Sequence, residues 1–118
     1  MKKIEAIIRK TKFEDVKDAL YEAGIEFFSF WDARGVGQTR QERAYRGVVY
    51  DTSTIERTIL SIIVRDKNVE KTILAITNAA RTGEIGDGKI FVSTIEESYR
   101  IRTGESGDES LFIKGKEV

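Results

Sequence analysis

Cysteine, histidine and proline are all absent from this chain of 118 residues. The first two absences exclude disulfide frameworks, zinc sites built on cysteine or histidine, cysteine nucleophiles and histidine-based catalytic triads. Long apolar runs are absent as well, because no stretch approaches the roughly 20 residues that a transmembrane helix requires. Many enzyme mechanisms and direct insertion into a membrane are therefore not expected.

An excess of one charge is also missing, since 20 basic side chains are balanced by 20 acidic ones. The sequence lacks the overall basicity of nucleic-acid-binding proteins, and we expect no nucleic-acid partner, although a local anion site stays open. The amino terminus reaches an acidic residue at Glu5 and has no signal-peptide pattern, which predicts a cytoplasmic protein. The length and the mixture of 40% hydrophobic and 34% charged residues are typical of one soluble globular domain.

Apolar periodicity predicts alternating strands and helices. The predicted elements are a strand at 2–9, a helix at 12–23, strands at 25–33 and 58–64, a helix from 66 to about 81–83, and a strand at 89–93. Thr11 with Glu14 forms a capping-box signature before the first helix, and Asp66 is the expected cap of the second. The order β-α-β-β-α-β is that of an α+β, ferredoxin-like sandwich.

The predicted strand at 58–64 is apolar on both faces. Leu60 and Ile62 point to one side, and Ile59 and Ile63 point to the other. Because the two helices of this fold cover only one face of the sheet, the other face is expected to be buried by neighbouring subunits. Oligomerisation is therefore predicted.

Residues 35–56 lose the apolar periodicity and are dominated by polar residues and glycine. A loop of about twenty residues is uncommon inside a compact domain unless it has a function. We therefore interpret this segment as a functional loop.

The segment at 82–92, TGEIGDGKIFV, contains three glycines followed by Lys89. Glycines let backbone amides approach a ligand, and a lysine can place a positive charge on a phosphate. The segment satisfies G-x-x-x-x-G-K, but Ile90 stands where a P-loop has its Mg²⁺-binding Ser or Thr, and the loop leads from a helix into a strand. It is therefore not a Walker A site. Spacing alone leaves two alternatives, a phosphate-binding turn or a purely structural tight turn at Asp87-Gly88.

This segment resembles the PII signal-transduction family, as do RIRTGE at 100–105, the opening MKKIEAII, and Tyr45-Arg46-Gly47 followed by Tyr50. The resemblance extends from residue 1 to about residue 105. It implies one PII-like domain over 1–118, with a mobile effector loop at about 36–56 and a C-terminal tail at about 105–118. It also implies a homotrimer that binds ATP or ADP in clefts between subunits.

The resemblance places the nucleotide between two chains. The implied nucleotide-binding residues are Gly35, Val64, Thr82, Gly86, Asp87, Gly88, Lys89, Arg100 and Arg102. The two arginines would reach in from the neighbouring chain; without the resemblance, a solvated basic strand is the simpler interpretation of them. A charge-assisted hydrogen bond contributes roughly 1.5 to 3 kcal/mol, so three such side chains with glycine amides suffice to hold a triphosphate.

PII proteins also bind 2-oxoglutarate through Mg²⁺, a loop glutamine and a lysine just after the loop. A one-residue gap sets Gln38 on that glutamine, where it would contact the metal of Mg-ATP, whereas an ungapped alignment sets Thr39 there. Arg57 stands where the lysine is expected, and its planar fork can pair a carboxylate without reproducing a compact ammonium group. Tyr50 matches the tyrosine that is uridylylated in family members, and an unmodified exposed tyrosine is the alternative.

The resemblance implies a regulator and not an enzyme. Expected partners are an ammonium channel, a nitrogen-assimilation enzyme or its modifying enzyme, or a nitrogenase. The alternative is a divergent sensor that binds adenine nucleotide, responds to another small molecule such as bicarbonate and acts outside nitrogen metabolism. Its main support is the altered region of Gln38 and Arg57; Lys10 in place of the family's usual proline and the added tail at 111–118 also indicate a divergent subgroup. An enzyme acting on a phosphorylated small molecule is a third hypothesis, but the sequence offers no obvious nucleophile or tuned base.

Overall fold

The computed structural model describes residues 1–36, 42–45, 48–51 and 54–113. Its helices and strands are β1 (Lys2–Arg9), α1 (Phe13–Glu22), β2 (Ser29–Val36), β3 (Glu42–Tyr45), β4 (Val48–Asp51), β5 (Thr54–Val64), α2 (Val69–Ala80) and β6 (Gly88–Thr94). Short 3₁₀ turns lie at Lys10–Lys12, Asp66–Asn68 and Gly107–Leu111.

The main sheet has the strand order β2-β5-β1-β6, and its neighbouring strands are antiparallel. Side chains on alternate positions of β1 and β5 are buried beneath α1 and α2, as the period of two predicts. The core residues are at most 6% exposed: Ile4, Ala6, Ile8, Val16, Leu20, Ile25, Leu60, Ile62, Val64, Ile76 and Ala80. Burial of each large aliphatic side chain among them contributes about 1.5 to 3 kcal/mol. The α+β, ferredoxin-like fold is confirmed.

The other face of the sheet is not covered by the helices. Trp31, Ile59, Ile7 and Lys89 lie side by side across the strands in one row of this face. Trp31 is 44% exposed in the single chain, and Phe91 in the adjacent row is 50% exposed. Ile59 is only partly buried. Burial of this face by neighbouring subunits therefore stays a prediction.

Two strand boundaries differ from those that the sequence predicts. β2 begins at Ser29 rather than at residue 25, because Gly24 and Ile25 still belong to the end of α1. Gly24 has a φ of 83°, and the backbone N of Ile25 donates to the carbonyl of Leu20 at 2.8 Å. β5 begins at Thr54 rather than at 58, since its first residues pair with β2 beyond the end of β1.

The predicted loop at 35–56 is correspondingly shorter and holds strand structure of its own. β3 and β4 form a separate antiparallel hairpin in which Glu42 pairs with Asp51 and Tyr45 pairs with Val48. The prediction of a structureless loop was wrong at these positions. The sequences of these two short strands show no hydrophobic alternation from which they could be predicted.

Both predicted helix caps were also wrong. Residues 10–12 form a 3₁₀ turn, and α1 begins after Lys12, which makes no side-chain capping hydrogen bond. Asp66 lies in the 3₁₀ turn before α2, and its carboxylate pairs with the terminal amine of Met1 at 2.9 Å. The N-cap of α2 is Asn68, whose carbonyl accepts a hydrogen bond from the Thr72 hydroxyl at 2.7 Å.

Candidate functional site

The glycine-rich turn between α2 and β6 is organised by the carboxylate of Asp87. Its Oδ2 accepts hydrogen bonds from the backbone N of Thr82 at 2.8 Å and of Gly83 at 2.9 Å. The Thr82 hydroxyl donates to Oδ1. One side chain thus closes the turn at residues 82–87 with the chain's own hydrogen-bond donors.

These hydrogen bonds hold the pKa of Asp87 well below its usual range. The largest cause is the hydroxyl of Thr82, followed by its backbone amide; the Gly83 amide and the Arg9 guanidinium add to the effect. Each of these donors is satisfied only by the ionised carboxylate, so its charge is favoured by the fold. Asp87 is therefore a structural anion, already committed to the chain's own donors.

Arg9, the last residue of β1, fastens this turn to the sheet. Its Nε donates to Oδ1 of Asp87 at 3.1 Å, and its Nη2 donates to the carbonyl of Ile85 at 3.1 Å. Arg9 was not predicted from the sequence, because 78 residues separate it from Asp87. The signal that could have found it is the antiparallel pairing of β1 with β6, which brings the end of β1 beside the start of β6.

Gly88 is required by two independent constraints. Its φ is 106°, in the region that favours glycine, and a Cβ at this position would lie 1.7 Å from the carbonyl oxygen of Ile7. The glycine thus lets the turn enter β6 in direct contact with β1. Lys89, the next residue, is exposed and pairs with Ile7 in the sheet. Lys89 directly follows the turn, and its exposed side chain is open to an anion from solvent.

Arg57 lies on the central strand β5, beside the last residue of β1, and it pairs with Arg9 on β1 and Ala33 on β2. It is only 7% exposed, and its Nη1 is buried with no acceptor among the residues that the structure describes. Burial lowers the pKa of Arg57, and the nearby Arg9 charge lowers it further, while Asp87 acts in the opposite direction. A buried guanidinium with an unused donor is suited to bind an anionic group.

The arrangement combines a fixed turn, an exposed lysine and a buried arginine with an unused donor. All three favour binding of an oxyanion such as a phosphate or a carboxylate. Clusters of three or more metal-ligating residues do not occur in the described parts of the chain. Within the same parts, no helix is long and apolar enough to cross a membrane.

Comparison with known proteins decides the family. A profile described as Nitrogen regulatory protein P-II matches residues 1–105. The chain belongs to the P-II family.

The proteins named Nitrogen regulatory protein P-II from Rhizobium meliloti (strain 1021) and from Bradyrhizobium diazoefficiens are 46% and 47% identical to it. Each alignment covers 103 residues, 86% of this chain and 92% of the relative. The protein of that name from Rhodospirillum rubrum is 45% identical over the same coverage. The resemblance drawn from the motifs is confirmed. Proteins of the P-II family act in nitrogen regulation and signal transduction.

The P-II chain brings one group of the predicted nucleotide-binding residues together. Thr82, Gly86, Asp87, Gly88 and Lys89 form the turn and the start of β6. Gly35 lies at the same end of the sheet, where a Cβ added to it would be 3.6 Å from Cγ of Arg57. Gly35 and the turn therefore share one end of the sheet but lie on its opposite edge strands, β2 and β6.

A second group lies at the opposite end of the sheet. Val64 pairs with Lys2 at the start of β1, whereas Arg57 pairs with Arg9 at its end, roughly 24 Å away along the strand. Arg100 lines a cavity with Ile63, beside Val64. A single P-II chain therefore does not bring Arg100 to Lys89.

Arg100 and Arg102 lie in the turn at residues 100–104, where the backbone N of Gly104 donates to the carbonyl of Arg100. Arg102 is exposed. The side chain of Arg100 is instead turned onto the chain's own tail, and its Nη2 donates to the carbonyl of Glu109 at 2.9 Å. The solvated basic strand considered for both residues thus does not describe Arg100.

The remaining predicted residues belong to the loop. Gln38, with its alternative Thr39, lies outside the described residues. Tyr50 lies on β4 and pairs with Arg43 in the hairpin. Its uridylylation stays a prediction.

Proposed function

We propose that this P-II chain is a homotrimeric sensor that binds ATP or ADP between subunits and signals nucleotide occupancy through the loop at 36–56. The observation that carries the proposal is the turn closed by Asp87, with the exposed ammonium of Lys89 beside it. A turn that is already shaped and fastened needs little further ordering when it receives a phosphate. The role proposed for this chain is binding, not catalysis, because Asp87, the carboxylate with the largest pKa shift among the described residues, is held by structural donors.

The separation of the two residue groups supports a site between subunits. Lys89 and Arg100 lie at opposite ends of the sheet of one chain, so they can serve one ligand only if Arg100 comes from a neighbour. A ring of identical chains with head-to-tail contacts supplies this arrangement at each interface. The partly exposed Trp31 and Phe91 on the uncovered face provide apolar surface for such contacts.

The proposed partners follow from the family. We propose that the loop recognises a protein of nitrogen metabolism, such as an ammonium channel, a nitrogen-assimilation enzyme or a nitrogenase, in the cytoplasm. Nucleotide can select a partner only if it binds one loop conformation more tightly than another, because equal affinity for both shifts no population.

Calorimetric titration with Mg-ATP and with ADP tests the proposal. We expect saturable binding with up to one nucleotide per chain, by a protein that sedimentation shows to be a trimer. Absence of binding in a folded trimer would overturn the nucleotide role. Turnover of ATP at rates typical of enzymes would overturn the assignment as a regulator.

Arg57 favours a second candidate for the effector. A buried guanidinium with an unused Nη1 keeps a donor for a carboxylate, and the compact ammonium of a lysine holds a carboxylate differently. We propose that Arg57 binds the small-molecule effector, and that this effector is 2-oxoglutarate or, in the divergent alternative, another small oxyanion such as bicarbonate. Titration of ATP in the presence of each compound distinguishes them, because only the effector tightens or weakens nucleotide binding.

A further inference from the structure

The segment at 107–113, here called the tail segment, folds back against the chain that precedes it. The backbone N of Gly107 donates to the carbonyl of Ser98 at 2.9 Å and to the carboxylate of Glu97 at 2.9 Å. The hydroxyl oxygens of Ser110 and Ser98 lie 2.7 Å apart. These contacts fix the 3₁₀ turn of the tail segment beside residues 97–100.

Phe112 anchors the far end of the tail segment. Its ring lies beneath the guanidinium of Arg65, with Cζ 4.4 Å from the ring centroid. Leu111 and Phe112 are partly buried and line two cavities together with Phe27 and Ile63. The tail segment is therefore docked by aromatic, apolar and hydrogen-bond contacts, not by chain connectivity alone.

The docked tail segment occupies the guanidinium of Arg100. Nη2 donates to the carbonyl of Glu109 at 2.9 Å and to the carbonyl of Phe112. A guanidinium has two faces that can grip an oxyanion with parallel hydrogen bonds, Nε with Nη2 and Nη1 with Nη2. Both faces include Nη2. When the two tail carbonyls take both hydrogens of Nη2, Arg100 can no longer hold a phosphate with two parallel hydrogen bonds.

We propose that the tail segment is an autoinhibitory latch whose docking on Arg100 and nucleotide binding at the intersubunit site exclude each other. This inference rests on the proposed nucleotide function and adds its regulation. An arginine offered to a neighbour's ligand must first leave the two tail carbonyls, so the latch lowers the fraction of chains competent to bind. The apparent dissociation constant equals the intrinsic one divided by that fraction, so a latch closed about nine-tenths of the time weakens binding about tenfold.

Calorimetric titration with Mg-ATP of the full-length variants Phe112→Ala, Phe112→Tyr and Tyr21→Ala tests the latch. Phe112→Ala removes the ring beneath Arg65, and we expect it to bind ATP about tenfold more tightly than the wild type. Phe112→Tyr keeps the ring and should bind like the wild type. Tyr21→Ala removes a ring on α1 that is 68% exposed and serves as the control for loss of an aromatic group elsewhere.

Each result decides between the latch and its competitors. Equal affinity of Phe112→Ala and the wild type would overturn the latch while leaving the proposed nucleotide function intact. Weaker binding by Phe112→Ala would also overturn it, because the tail segment would then position Arg100 for the ligand. Absence of binding in every variant would instead refute the nucleotide function, and the latch with it.

Hydrogen exchange provides a measurement that requires no substitution. In the wild type, the Gly107 amide is protected by the carbonyl of Ser98. Saturating ATP should release the tail segment and speed exchange of that amide severalfold, while amides of the central strand β1 stay protected. Slower or unchanged exchange of the Gly107 amide in a protein that binds ATP would contradict the latch.

Discussion

Arg9 and Asp87 are joined by a hydrogen bond of 3.1 Å between Nε and Oδ1. The pair connects the end of the first strand to the turn that precedes the last one, so the shape of the candidate phosphate turn depends on the closing of the whole sheet. The same carboxylate accepts the amides of Thr82 and Gly83. The same contacts that close the sheet thus shape the turn.

Acid should weaken the fold through Asp87. Its pKa is lower in the folded chain than the value of about 3.9 expected when unfolded, so the ionised carboxylate is favoured by folding. The contribution of this carboxylate to the free energy of unfolding is complete above about pH 4. It is lost as the pH falls through the lowered pKa of the folded state. We expect the melting temperature of the wild type to fall more steeply below pH 4 than that of Asp87→Asn. Parallel curves between pH 7 and pH 2 would contradict this role.

Gly88→Ala should destabilise the protein far more than Gly83→Ala. Both glycines have a positive φ, of 106° and 91°, so alanine is strained at either position by about 1 to 2 kcal/mol. Only at Gly88 does the new Cβ also meet the Ile7 carbonyl, at 1.7 Å, whereas nothing lies within 4 Å of it at Gly83. We expect a loss of about 3 kcal/mol or more for Gly88→Ala in urea unfolding. Similar losses for the two variants would show that β1 does not restrict this turn.

The sequence predicted the sheet and helices well because their apolar periods report burial in one core. β1 was found at 2–9, and the buried positions of β5 and α2 follow the expected alternation and helical spacing. Elements without such a period in their sequence could not be found this way. The hairpin of β3 and β4 and the 3₁₀ turn of the tail segment are held by backbone pairing and by hydrogen bonds to side chains, which carry no period.

The residues of the candidate site also divide into those that the local sequence predicts and those that it does not. The turn at 82–88 is indicated by the glycines within it, so its position was predictable from the local sequence. Arg9 as the partner of Asp87, and the tail carbonyls as the partners of Arg100, depend on which distant segments meet. Single-sequence patterns contain no such information, and the structure supplies it.

Lys89→Ala should weaken ATP binding and leave the fold unchanged. The side chain is exposed, and its removal opens no cavity in the core. Loss of one charge-assisted hydrogen bond to a phosphate predicts roughly tenfold to hundredfold weaker binding by calorimetry. Lys67→Ala, an exposed lysine in the 3₁₀ turn before α2, is the matched control and should bind like the wild type. Unchanged ATP affinity in Lys89→Ala would remove the phosphate role of this residue.

Arg57→Met should abolish the effector response without reducing the stability of the ligand-free protein. A buried guanidinium with an unused donor is costly to the fold, and an apolar side chain of similar length removes that cost. We expect an equal or higher melting temperature, together with ATP binding that no longer changes when 2-oxoglutarate or bicarbonate is added. Arg34→Met, on the exposed end of β2, controls for the loss of a positive charge. A marked drop in melting temperature would indicate that Arg57 is held by the fold itself.

Mixed trimers should recover the wild-type nucleotide affinity that neither parent chain has. One chain carries Lys89→Ala, and the other carries Arg100→Ala with Arg102→Ala, so neither homotrimer has a complete site if the lysine and the arginines come from different subunits. In a three-membered ring that contains both chains, one interface joins an intact Lys89 to intact arginines. Random assembly then restores roughly a quarter of the sites, which calorimetry reports as a fractional stoichiometry with wild-type affinity. If the lysine and the arginines acted on one ligand within a single chain, mixing would restore nothing, and the intersubunit site would be refuted even though the protein binds ATP.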